Sequence, residues 1–122
     1  MENVINWFAI PVLNLRRAIL FYNSILDVKL EETNMGGTSM AFFPKKEGGV
    51  GGHLFSDPNF IPSQNGPILY LNGSPDLQVV MDKIEKAGGK VLISKTKINS
   101  KIGHFGMFLD SEGNRLAIHS RA

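Results

Sequence analysis

The 122-residue sequence predicts an α+β domain of two tandem βαβββ modules forming a cup-shaped half-barrel. Three observations carry this prediction. Two amphipathic helical stretches each open a half of the chain. The order strand, helix, three strands occurs on both sides of a connector rich in helix and strand breakers. The halves also align with each other, Leu15 falling on Leu77 and Val50-Gly51-Gly52-His53 on Leu116-Ala117-Ile118-His119. Neither half is large enough to close a core alone, so duplication on this scale calls for paired modules. The helices are expected to cover the outside of two sheets whose other faces form the cup.

In chain order, module one spans about 1–56, the connector 57–66 and module two about 67–122. A first strand is expected over Val4–Val12. Asn14 then stands as the N-cap of a helix over Leu15–Leu26, with Leu15, Ala18, Ile19, Tyr22, Ile25 and Leu26 on its apolar face. Strands over Asp27–Thr33, Thr38–Pro44 and Gly49–Phe55 follow, the first two separated by Asn34-Met35-Gly36-Gly37. Module two opens with a strand over Ile68–Gly73. Ser74 as N-cap and Pro75 in the first helical position then start a helix that buries Leu77, Val80, Met81 and Ile84. Gly88-Gly89 stops it. Strands over Lys90–Ser94, Gly103–Asp110 and Arg115–Ser120 complete the module, the last two joined by the Asp110–Asn114 turn.

Composition removes several function classes. With no cysteine there is no disulfide framework, thiolate metal site or thiol nucleophile. A formal charge of +2, with dispersed lysines, gives no electrostatic footprint for nucleic acid. No apolar run approaches the ~18–20 residues of a membrane span, and MENVINWFAI lacks the features of a secretory signal. A soluble cytoplasmic domain is the expectation. The glycines of GGVGG enter a strand with no Lys-Ser or Lys-Thr after them, so they form no phosphate loop and instead permit a bulge or the close approach of another backbone. Ser39, Ser94 and Ser100 have no histidine–carboxylate partners that sequence can place, which leaves a nucleophilic hydrolase unsupported.

The stretches IPVLNLRRAILFYNSIL, AFFPKKEGGVGGHLF, GPILYLNGSPDLQVVMDKIEKAGGKVL and FLDSEGNRLAIHS cover nearly the whole chain. Together they resemble the glyoxalase / bleomycin-resistance / extradiol-dioxygenase superfamily, the vicinal oxygen chelate fold. The branch resembled most is the one labelled "predicted enzyme related to lactoylglutathione lyase". The resemblance implies a homodimer and a divalent metal held at the floor of the cup by ligands from the first and last strand of each module. Carried onto this sequence, those ligand positions fall on Trp7, Gly51, Ile68 and Ala117. None of these side chains can ligate a metal. No cofactor is therefore expected, and neither is the standard metal-dependent glyoxalase I activity.

Period-two alternation places His53 on the face of Gly51 and His119 on the face of Ala117, so both would face the cup. Tyr70 and Asn72 share the face of Ile68, and Arg115 shares that of His119. Trp7, His53, Tyr70, Asn72, Arg115 and His119 thus describe an amphipathic pocket suited to a planar or aromatic small molecule. The alternative is a lyase or isomerase with His53 and His119 as acid–base pair or displaced metal ligands. The plain structural alternative is that each histidine bonds a backbone group near its strand end. His104 is expected at the surface or rim.

Overall fold

The computed structural model describes residues 3–122, so Met1 and Glu2 of module one lie outside the described residues. Module one comprises β1 (Trp7–Pro11), α1 (Leu15–Leu26), β2 (Glu32–Met35), β3 (Thr38–Phe42) and β4 (Gly51–Ser56). Module two comprises β5 (Tyr70–Asn72), α2 (Leu77–Ile84), β6 (Lys90–Asn99), β7 (Gly103–Leu109) and β8 (Arg115–Ser120). Each module forms one open four-stranded sheet, ordered β1-β4-β3-β2 and β5-β8-β7-β6. In both, the first strand runs parallel to the last and the other pairings are antiparallel. The α+β class and the two βαβββ modules are thus as expected from the duplication.

The local chemistry explains most of the boundaries. Asn14 caps α1, its Oδ1 accepting from the Arg17 N–H at 3.0 Å. The first strand after α1 starts later than expected. Asp27 leaves the helix in the left-handed region, and the Asn23 side chain then holds the Leu30 N–H at 2.7 Å. Residues 27–31 are consequently not paired, and Asn34 and Met35 belong to β2 instead of the turn. The start of α2 also differs. Asp76 caps it by accepting from the Gln78 N–H, in place of Ser74, and Pro75 lies before the helix. Asp76 offers a carboxylate one residue before Leu77 and gains an ion pair to Lys95 at 2.8 Å.

Both helices feed a single core. Leu77, Val80, Met81 and Ile84 of α2 are buried as expected. On α1 the buried set is Leu15, Ala18, Phe21, Tyr22 and Ile25, with Ile19 and Leu26 only partly covered. Phe21 was not part of the expected stripe, and the second module explains its burial. Its ring packs against Phe108 of β7 at 6.2 Å, while Tyr22 stands edge-on to Phe43 beside sheet one at 5.6 Å. Helix α1 therefore touches both modules; each helix buries one face in the shared core and leaves the other, with Leu20 and Val79, exposed. Among the described residues, no helix is long and apolar enough to cross a membrane.

The Asp110–Asn114 turn fastens module two to module one. Asp110 Oδ1 accepts from the Glu112 and Asn114 N–H groups, which shapes the turn. Its Oδ2 accepts from the buried Tyr22 hydroxyl at 2.6 Å. Asn114 donates to the Pro11 carbonyl at 2.7 Å and accepts from the Ser63 N–H at 3.1 Å. The fully buried Glu112 carboxylate takes the Leu13 and Asn14 N–H groups, the Ser111 hydroxyl and a two-pronged bond from Arg17. It sits at the N-terminus of α1, where the helix dipole favours an anion. Burial pushes the Glu112 carboxyl up, but Arg17, Asn14 and Ser111 outweigh it and hold the group below its ordinary range. Burial, then Asp110, push the Tyr22 phenol well above its ordinary value, so it remains a hydrogen-bond donor.

Candidate functional site

Sheet one turns an aromatic face away from the core. Trp7 pairs with Gly51 across β1 and β4, and Phe42 pairs with His53 across β3 and β4. The absence of a side chain at Gly51 lets the indole lie over that residue, since a Cβ there would stand 2.6 Å from Trp7 Cζ3. Gly52 does the same for the Phe8 ring on the opposite face. The groups that approach Gly51 and Gly52 are thus side chains, chiefly two aromatic rings, and not another backbone as expected of GGVGG.

His53 is the centre of this face. The indole Nε1–H of Trp7 donates to His53 Nδ1 at 2.9 Å. Phe42 stacks on the imidazole at 5.5 Å and 27°, and Phe55 meets it edge-on at 5.7 Å. Phe60 of the connector extends the row by packing on Phe55 at 5.3 Å. Because Trp7 occupies Nδ1 as a donor, neutral His53 carries its proton on Nε2. The ring thus has one committed nitrogen and one N–H left to donate. Trp7 is 44% exposed, Phe42 39% and Phe60 56%, so the row forms an open platform and not a filled core.

Burial lowers the pKa of His53 from its ordinary 6.5. The Trp7 bond needs an unprotonated Nδ1, so protonation must break it. Trp7 is the sole tryptophan. Its emission is therefore expected to change with pH, with a midpoint below 6.5, and His53→Gln should abolish the transition. Between the folded pKa and 6.5 the unfolded chain binds more protons, so His53 makes stability rise with pH across that window. A midpoint at or above 6.5 would contradict the shielding by its aromatic neighbours.

The remaining candidates lie in module two. Tyr70 and Asn72 of β5 pair with Ala117 and His119 of β8. They line, with His119, Ile98 and Ile102, a cavity of about 560 Å³. As the alternation implies, Leu69 and Leu71 pack toward the core while Tyr70 and Asn72 are exposed. His119 Nε2 lies 2.6 Å from the Ile102 carbonyl, and Asn72 Oδ1 accepts from the Ser74 N–H, so both have local backbone partners. His104 is half-buried on β7, with Nδ1 unpartnered. Arg115 stands at the start of β8 beside a separate cleft.

The six candidate residues are thus divided between two sheets. Trp7 and His53 are brought together by a direct hydrogen bond; Tyr70, Asn72 and His119 share the second cavity. Residues of both sheets enter one core, and no described contact joins His53 to His119. Phe42, Phe55 and Phe60 were absent from the candidates. The signal for Phe55 was present, two residues beyond His53 on the same strand face. Phe42 required the β3–β4 register.

Trp7, Gly51, Ile68 and Ala117 offer no side-chain ligand, and the indole fills the space above Gly51. Among the described residues, no group of three His, Cys, Asp or Glu could hold a metal ion.

Two open sheets of order first-last-third-second, with paired βαβββ modules, define the glyoxalase-like class. Residues 4–118 match the family model of the Glyoxalase/Bleomycin resistance protein/Dioxygenase superfamily, and the chain belongs to that superfamily. A glyoxalase/bleomycin resistance protein from Albidiferax ferrireducens T118 is similar over 98% of this chain and 100% of its own, at 14% identity and TM-score 0.76. The E144Q glyoxalase I mutant of Zea mays is similar over 97% of this chain and 45% of its own, at 16% identity and TM-score 0.74. A glyoxalase/bleomycin resistance protein from Streptomyces sp. CB03234 gives 19% identity and TM-score 0.70, over 95% and 99% of the two chains. At these identities the likeness concerns the fold. A comparison with curated proteins finds no match.

Proposed function

We propose that this protein binds a small planar or aromatic molecule on the Trp7–Phe42–His53–Phe55 platform, without a divalent metal. The observation that carries the reading is the indole lying over Gly51 with its N–H tied to His53. Hydrocarbon and an aromatic ring occupy positions where the superfamily's enzymes place metal ligands. A stacked ring would gain apolar contact there and meet the free His53 Nε2–H at its edge.

The protein acts as a cytoplasmic homodimer in this reading. Both outer sheet faces carry exposed apolar side chains, among them Met35, Phe42, Tyr70 and Ile102. A second copy laid over them would turn each open sheet into one wall of a closed site. A lyase-type acid–base pair of His53 and His119 would also require such an arrangement, because the two stand on separate sheets in one chain.

The test is a titration of Trp7 fluorescence with naphthalene compounds before and after chelation, together with dialysis against Zn, Ni, Mn and Fe. Saturable quenching that EDTA leaves unchanged is expected, along with a two-chain mass by light scattering. Stoichiometric metal uptake whose removal abolishes ligand binding would overturn the metal-free reading.

A further inference from the structure

We infer that Arg115 is the anion anchor of this platform and that the ligand is a planar aromatic carboxylate. The inference rests on the proposed binding of an aromatic molecule and names its chemical class. It starts from an unpaired cation. Arg115 is half-buried, and its Nε is fully covered with no hydrogen-bond partner. Neither ion pair among the described residues includes it. The surrounding cleft, about 200 Å³, contains no acidic side chain among its lining residues. A covered guanidinium N–H without an acceptor is costly, so the geometry calls for a ligand that accepts from it.

The cleft continues the aromatic platform. Its lining includes Ala9 and Pro11 from β1 and Ile61 from the connector. Ala9 and Pro11 alternate on the same strand face as Trp7. Pro11 pairs with Phe55, on which Phe60 packs, and Ile61 follows Phe60 in the chain. Trp7 to Pro11 spans about 13 Å at the rise of a β-strand. The Phe55–Phe60 end of the row, beside Pro11, is therefore the part of the platform next to the Arg115 cleft, and a ring seated there needs only a short linker to bring its charged group to Arg115.

The charge selects carboxylate. One guanidinium faces the cleft, with no lysine among its lining residues, which balances a single negative charge. The planar fork of Arg matches the planar carboxylate through two parallel N–H donors. Ser63 and Asn65, also in the lining, are tied together by the Asn65 N–H to Ser63 Oγ bond at 2.9 Å, and shape the rim.

The test compares 1-naphthaleneacetate with its uncharged amide and with acetate alone, read by calorimetry and by the Arg115 Nε–H resonance. Wild type is expected to favour the carboxylate over the amide by about 10- to 100-fold. Arg115→Gln should erase that preference, chiefly by weakening the carboxylate; Arg115→Lys should recover only part of it. Equal binding of both compounds to wild type, or a preference surviving in Arg115→Gln, overturns the anchor. If neither ring compound binds, the platform reading fails separately. Saturable movement of the Arg115 resonance with acetate then supports the anchor, and a motionless resonance overturns it.

Discussion

Replacing Glu112 with alanine is expected to destabilise the protein by about 3–4 kcal/mol, because charged hydrogen bonds across a buried contact are lost together. The carboxylate joins the modules through Leu13, Asn14 and Arg17, and its side chain is fully buried. Arg17 is 52% exposed and can hydrate when released, so the effect stays below the sum of the bonds. For a chain of this size the loss corresponds to a melting temperature lower by roughly 10–15 °C. Glu112→Gln keeps an acceptor oxygen and should fall between the two. The pH dependence carries a sign. The folded-state pKa of Glu112 is depressed, so its contribution is complete above the unfolded value and is lost as pH falls through the folded one. Urea melts from pH 7 to 3 should show a steep acid limb in wild type and a flatter one in both variants. A change under about 0.5 kcal/mol for Glu112→Ala would show that the clamp contributes no more than an ordinary surface group.

Trp7→Ala should weaken binding of a naphthalene ligand by about 30- to 1,000-fold, the range for a central aromatic anchor. The fold should survive, because the side chain is 44% exposed and lies outside the main core. The variant has no tryptophan, so calorimetry replaces fluorescence. Trp7→Phe retains a ring but gives His53 Nδ1 no donor. It is expected to lose about 3- to 10-fold, which separates the stacking contribution from that of the hydrogen bond. Full affinity in Trp7→Ala would remove sheet one as the binding surface.

How far the sequence reaches is seen best in particular residues. Asn14 announced its helix because capping is a contact three residues long. Leu77, Val80, Met81 and Ile84 showed their buried face because helical period is local. The repeated GGVGGH and RLAIH stretches showed that β4 and β8 play equivalent parts. The cap of α2 was misplaced by two residues: Ser74 and Asp76 both offer acceptors, and the Lys95 ion pair joins β6 to Asp76. Phe21 was missed because its partner, Phe108, lies in the other module.

The candidate site divides along the same line. Trp7 and His53 were legible as unusual residues on exposed strand faces, but their hydrogen bond crosses two strands 46 residues apart. Placing all six candidates around one cup assumed that the helices lay outside. Both helices bury one face in a shared core, and no described contact joins the two histidines.

The amino-acid sequence by itself determined the two βαβββ modules, the N-cap of α1 and the buried stripe of α2. These follow from backbone periodicity and side-chain chemistry, which act within a few residues. Only the tertiary structure decided that Glu112 clamps α1, that an indole covers Gly51, and that Arg115 has no acidic partner. Each depends on which distant surfaces are driven together when the two apolar inner faces leave water, and no local pattern records that choice.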